Sequence, residues 1–381
     1  MTEKLYYQDA YIKDFVANVL SVSPCDGGYD VILDKTAFFP EEGGQSSDTG
    51  FIGDSKVFYV FESEGSIHHH TTSAPTMGEN HCTIDFSDRF EKMQCHTAEH
   101  ILCGVIHRLY GLDNVGFHLG KDEVTFDING VLDRNQLDLV ENLANDAVFS
   151  NIKIETCFPN KEELESIEYR SKLDLTEGVR LVKIGDVDTC ACCAPHVLYS
   201  GEIGLIKILD FMKHRGGTRI WMVAGKRALL DYRSKYENIK NISARLCAPQ
   251  SETDKVLIEY MSESDITRAS LKQARMRIAE LEAFKVEESD NSAVFYLPDF
   301  SIPELIAFSN IANTKIGGIT VALSGTDGDY KYVISSARHD LKALSSEINS
   351  ALSGRGGGRK EMIQGSFSAS LDQIKAYFCE K

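Results

Sequence analysis

No stretch of this chain approaches the ~18 consecutive apolar residues that a membrane-spanning helix needs, so the sequence predicts no transmembrane anchor. A secretion signal is missing too: Met1-Thr2-Glu3-Lys4-Leu5-Tyr6-Tyr7 brings in acid early and no apolar h-region follows. Cysteine is not scarce, at ten in 381 residues, but apart from the cluster at 190–193 it is scattered. That distribution lacks the regular spacing of a disulfide framework and predicts reduced thiols and metal ligands in a cytoplasmic protein.

What is present suffices for two to four globular domains, with 43% hydrophobic and 9% aromatic residues. The net charge of -17 argues against a nucleic-acid partner only until it is mapped: residues 1–210 hold 16 basic and 36 acidic side chains, residues 211–381 hold 24 and 21. Within the second half, Lys213, Arg215, Arg219, Lys226, Arg227, Arg233, Lys235, Lys240 and Arg245 form one basic series, and Arg355, Arg359 and Lys360 another among glycines. Such series suit phosphate neutralisation, although exposed helix faces are also commonly Lys/Arg-rich.

The coarse pattern is α+β. Residues 1–86 alternate short apolar runs with turn signals and predict a small β-barrel, in which alternation sets His69 on the opposite face from His68 and His70. Residues 87–225 mix helices and strands, beginning with a helix from Asp88, as N-cap, to Tyr110, stopped by Gly111. Across 226–286 two polar helices break at Pro249, and Leu271, Ala274, Ile278 and Leu281 recur at three- and four-residue steps, so a helical hairpin or coiled coil is expected. Residues 287–381 read as a last α/β segment with a glycine-rich loop in the run 354–365.

His96 and His100 stand four residues apart on the first of these helices, about one turn, so both imidazoles leave one face and can share a metal ion. Cys192 and His196 repeat the step a hundred residues on, in a run where Pro195 interrupts regular helix. Together they form a mixed nitrogen and sulfur set suited to zinc, with Cys190 and Cys193 as alternative ligands to Cys192. A buried, hydrogen-bonded histidine pair without metal is the plainer reading of the first pair alone. A third reading is peptidase chemistry: His96-Thr97-Ala98-Glu99-His100 satisfies the inverted zincin pattern with Glu99 as general base and a further Glu from 161–168 as ligand. It leaves Cys192 and His196 without a role. The forward zincin pattern is excluded, because Thr97 follows the first His.

With these pairs in order, the chain resembles the alanyl-tRNA editing family, the free-standing relatives of the editing half of alanyl-tRNA synthetase. Phe38-Phe39-Pro40-Glu41-Glu42-Gly43-Gly44-Gln45 resembles its Gly-Gly-Gln motif, His96 to His100 its first zinc pair and Cys192 to His196 its second. Gly354-Arg355-Gly356-Gly357-Gly358-Arg359-Lys360 is similar to the glycine-rich signature of the C-terminal domain of the family's long form.

The resemblance implies a zinc-dependent hydrolase that removes serine, or glycine, from mischarged alanine tRNA. Such an activity answers a physical need, since a pocket for alanine rejects a molecule with one small addition by only ~1 to 3 kcal/mol, whereas a site that hydrogen-bonds the serine hydroxyl discriminates strongly. It implies Thr36 and Gln45 as contacts to that hydroxyl, and Arg355, Arg359 and Lys360 as RNA contacts. Glu99 stands where the family more often has a neutral polar residue, which sets a possible base beside the metal. Roughly 85 residues before the metal helix cannot contain a class II catalytic core, so no ligase activity is expected. A homodimer through the helical hairpin or the C-terminal domain, and a non-catalytic zinc-structured RNA-binding protein, are the other expectations the pattern raises.

Overall fold

The computed structural model describes residues 1–120, 124–171 and 178–379. It divides into two compact units, Met1–Lys240 and Asn241–Lys381. The first mixes helices with several sheets, and the described residues of the second mix helices with one.

In the first unit six strands pair in a ring: Asp14–Cys25, Gly28–Leu33, Ser66–Thr71, Ser55–Ser63, Gly50–Ile52 and Gly78–Ile84, which returns to the first. Their alternation drives Val31, Leu33, Val57, Val60 and Ile67 inward, all fully buried. His69 joins them inside while His68 and His70 stay half-exposed outside. Burial pushes His69 down to about 4, so its ring is neutral, and it is satisfied by the Val31 carbonyl and the Thr36 hydroxyl.

The helix α1, Phe86–Tyr110, is buried on every side along its middle and carries the unit's main core. It starts one turn before the Asp88 expected as N-cap. Asp85 has the non-helical backbone and its carboxylate accepts from the Asp88 N–H, while Asp88 sits in the first turn and pairs with Lys92 at 2.6 Å. Gly111 ends it as expected, at φ 64 with its N–H on the His107 carbonyl. Against α1 pack the helix α2, Arg134–Phe149, and a four-stranded sheet ordered 206–214, 217–224, 124–128, 114–119. A three-stranded sheet, ordered 154–157, 181–184, 188–191, carries the approach to the cysteine-rich run.

A short helix α3 follows at Lys161–Ser166, and two long ones at Gly225–Leu246 (α4) and Thr253–Phe284 (α5), interrupted around Pro249. In the second unit a five-stranded sheet, ordered 293–296, 320–326, 329–335, 362–367, 354–358, buries Val321, Leu323, Tyr332 and Ile334 on one face. Ala322 and Val333 are buried on the other against Leu305 and Phe308 of α6, Ile302–Ala312, and the end of α5. The glycine-rich segment expected as a loop is instead the edge strand Gly354–Gly358, antiparallel to Met362–Phe367. Its glycines admit a close neighbour: a Cβ on Gly356 would lie 2.3 Å from the Gln364 carbonyl oxygen and 2.4 Å from the Tyr332 hydroxyl.

Candidate metal centre

The rigid turn of α1 sets His96 and His100 side by side, ring centroids 5.4 Å apart. After the strand Asp188–Ala191 the chain carries Cys192 and His196 back onto that face, with the His196 ring 4.9 and 4.7 Å from the two helix rings. The Cys192 Sγ lies 3.6 Å from His96 Nε2 and 3.3 Å from His196 Nε2. All four donor atoms fall within 4.8 Å of one another. In a tetrahedral site with metal bonds of about 2.1 Å to nitrogen and 2.3 Å to sulfur, N to S edges are about 3.6 Å, so the donor set fits one metal ion. Cys190 groups instead with His100 and Asp188, and Cys193 is a cavity-lining thiol that burial and the neighbouring Cys192 push up. No Glu from 161–168 enters either group, although these residues are described.

Each histidine is aimed by a second contact on its other nitrogen. His96 Nδ1 meets Gln45 Oε1 at 2.9 Å, and His100 Nδ1 meets Asp188 Oδ2 at 3.1 Å. Arg170 in turn grips Asp188 with two bonds of 2.7 and 2.9 Å. His196 Nδ1 lies 3.0 Å from the Thr97 hydroxyl, whose only hydrogen goes to the Met93 carbonyl at 2.7 Å. The hydroxyl therefore accepts from Nδ1–H, which leaves the Nε2 lone pair for the metal. Sequence reasoning missed Thr97, Asp188 and Arg170, whose roles depend on a tertiary approach. Gly104 permits it: a Cβ there would lie 2.5 Å from the Val187 carbonyl oxygen and 2.7 Å from the Asp188 Cβ.

The charges suit metal binding. Burial alone would raise the Cys192 thiol, but the facing imidazoles of His96 and His196 hold it well below the ordinary thiol range. Burial pushes His196 down to about 3 against the pull of Cys192, so it is neutral. His100 goes the other way: burial would lower it, yet Cys190 and Asp188 raise it well above the usual value, so a metal ion loading here displaces a proton.

The cluster opens into a cavity of about 480 Å³. Glu99, three residues after His96 and one before His100, lines it, with Asn114 Nδ2 donating to its Oε1 and the Cys103 thiol 3.2 Å from the same oxygen. Gln45 is fully buried behind His96, and its Nε2 has no partner. Thr36 is not brought to the cluster; it lies inside the strand ring, its hydroxyl engaged by His69 Nε2 at 2.9 Å and the Phe38 N–H at 3.1 Å. The chain just after Gln45 is fastened to α1 by the buried Arg89–Asp48 pair and by Lys92, which donates to the Ser47 carbonyl at 2.7 Å. Arg355, Arg359 and Lys360 belong to the second unit, exposed on and just after its edge strand.

Residues 179–221, the stretch that holds Asp188, Cys192 and His196, match the family model described as the threonyl and alanyl tRNA synthetase second additional domain. That stretch is thus similar to a domain described for aminoacyl-tRNA synthetases. More particularly, it is 27% identical to the Alanyl-tRNA editing protein AlaX-L of Pyrococcus horikoshii across 100% of its own length and 98% of that relative, so the resemblance first read from four motifs extends over the whole chain. It is also 31% identical to the Alanine--tRNA ligase of Halobacterium salinarum over 86% of its length, spanning 38% of the ligase. Among solved structures, the C-Ala domain of the Aquifex aeolicus alanyl-tRNA synthetase matches 24% of this chain and 86% of its own, at 19% identity and a TM-score of 0.21.

Proposed function

We propose that this protein is a zinc-dependent deacylase that hydrolyses the ester joining serine, or glycine, to alanine tRNA. The observation that carries the reading is the cluster of His96, His100, Cys192 and His196 opening into a cavity lined by the carboxylate of Glu99. When bound, zinc supplies a Lewis acid beside the scissile ester. Glu99 takes the proton of the attacking water, and Asn114 holds that carboxylate in line. Gln45 fixes His96, and its buried Nε2 has no partner, which supports it as the contact to the serine hydroxyl. Thr36 is the second candidate for that contact, although its hydroxyl is taken up by His69 and Phe38. Arg355, Arg359 and Lys360 are assigned to RNA phosphates.

On this reading residues 1–86 are the barrel domain, 87–225 the editing domain, 226–286 a helical spacer or dimer contact, and 287–381 the RNA-binding domain, in a cytoplasmic protein. Among the described residues no helix is long and apolar enough to cross a membrane. The test is incubation with serine-charged and alanine-charged alanine tRNA, with and without a chelator. Loss of serine but not alanine, abolished by the chelator, is the expected result; unaltered charging alongside tight tRNA binding would replace the enzyme by a binding module.

A further inference from the structure

One thiol of the cavity wall, that of Cys190, has no place in the cluster of three imidazoles and Cys192. The strand Asp188–Ala191 continues its ladder to Cys192, whose N–H donates to the Arg180 carbonyl at 3.0 Å. Alternation along this extended run turns Asp188, Cys190 and Cys192 to one side, the side that meets His100. Asp188, Cys190 and His100 form a group whose donor atoms lie within 4.8 Å of one another, and the Cys192 sulfur lies within the same distance of a His100 nitrogen. Two thiols two residues apart therefore face one imidazole, and all three side chains line the cavity.

Asp188 is not a ligand on offer, because Arg170 holds its two oxygens at 2.7 and 2.9 Å. Cys190 is half-buried, and its Sγ makes a 3.6 Å contact with the Ala191 carbonyl. A thiol held by so weak an acceptor gives up its proton to an entering ion at little cost. Ligand softness decides which ion gains most. Zinc suits the nitrogen-rich set of His96, His100, His196 and Cys192, whereas a softer ion prefers the position that offers it more sulfur.

We propose that Cys190, Cys192 and His100 form a second, thiolate-rich metal position on the cavity wall, which takes a soft, thiophilic cation such as cadmium(II). It shares Cys192 and His100 with the zinc set, so the two positions exclude each other. Exposure to a thiophilic ion is thereby coupled to loss of zinc. The position rests on coordination chemistry alone and stands whether or not the chain deacylates tRNA.

Titration of the full chain with cadmium, metal-free and zinc-loaded, tests it. Thiolate-to-cadmium charge-transfer absorbance counts the sulfurs on the ion, and cadmium NMR reads the same count from the chemical shift. The unaltered chain is expected to show two thiolates per cadmium ion, and zinc is expected to leave as cadmium enters. Cys190→Ser is expected to halve the absorbance and to weaken cadmium at least about tenfold, a direct ligand being worth no less than an outer partner, while zinc affinity stays the same. Cys193→Ser is expected to change neither metal. One thiolate per cadmium ion in the unaltered chain, full absorbance in Cys190→Ser, or equal weakening of zinc and cadmium by that substitution overturns the position. Zinc retained beside a two-thiolate cadmium ion overturns the sharing of ligands. The shift measured on the unaltered chain separates a two-sulfur from a one-sulfur ion without any substitution, so the outcome does not depend on how well a variant folds.

Discussion

Replacing Asp188 by Asn tests whether the contacts behind the histidines tune the metal or merely hold the fold. Asp188 is nearly buried and serves two masters, accepting from His100 Nδ1 and taking both bonds from Arg170. The amide keeps the shape but removes the charge that raises the basicity of His100 and compensates Arg170. Loss of an outer partner of this kind lowers metal affinity by about 10- to 100-fold, equivalent to about 1.4 to 2.7 kcal/mol. Leaving Arg170 without its anion costs about 3 kcal/mol of unfolding free energy. The control is Asp127→Asn, which breaks an equally bidentate pair with Arg219, at 2.7 Å in both bonds, whose side chains are 19% and 34% exposed and belong to neither group of candidate ligands. It should cost no more than about 1 kcal/mol and leave the metal untouched. Competition for zinc against a chromophoric chelator, with urea unfolding of the same samples, reads both quantities. Should Asp188→Asn lose stability while binding zinc as tightly as the unaltered protein, the proposed coupling between Asp188 and the ion is wrong.

Cys192→Ala is expected to abolish stoichiometric zinc, whereas Cys190→Ser and Cys193→Ser retain it; full zinc in Cys192→Ala would move the thiolate ligand elsewhere. Glu99→Gln should lower deacylation of serine-charged tRNA by about 10²- to 10⁴-fold with zinc content unchanged, and an undiminished rate would remove Glu99 as the base. In the second unit, the Arg275 guanidinium holds the Glu304 carboxyl at about 2, below its ordinary 4.5. Because the folded value is the lower one, this stabilisation is complete above about pH 4.5 and fades as pH falls towards 2. Urea midpoints between pH 5 and 2 should therefore fall less steeply for Glu304→Gln, and identical slopes would count against the pairing.

The two ligand pairs were legible because their spacing is local: a four-residue step on a helix, and a repeat of it beside a proline. The contacts behind them were not, since nothing in Thr97 or Asp188 as single residues announces which imidazole will arrive against it. Thr36 and Gln45 are nine residues apart and share a motif, but an extended segment is long enough to leave one inside the strand ring and carry the other to His96. The edge strand at 354–358 hid because glycine has little strand preference of its own. Its pairing comes from Met362–Phe367, where apolar alternation was present, and from the close approach of Gly356 to Gly365. At α1 the turn of error arose from two acids, Asp85 and Asp88, each suited to a cap.

His96 and Cys192 are separated by 96 positions in the chain, and His96, Thr97 and His100 are met by residues 51, 99 and 88 positions away. An ion bridging the first pair closes a loop for which chain-entropy reasoning gives about 4.7 kcal/mol, the scale of a native disulfide. All ten cysteines are unpaired, so an ion held there would give the protein a long-range staple without an oxidising compartment. Metal supply would then govern how long the first unit survives, quite apart from any turnover.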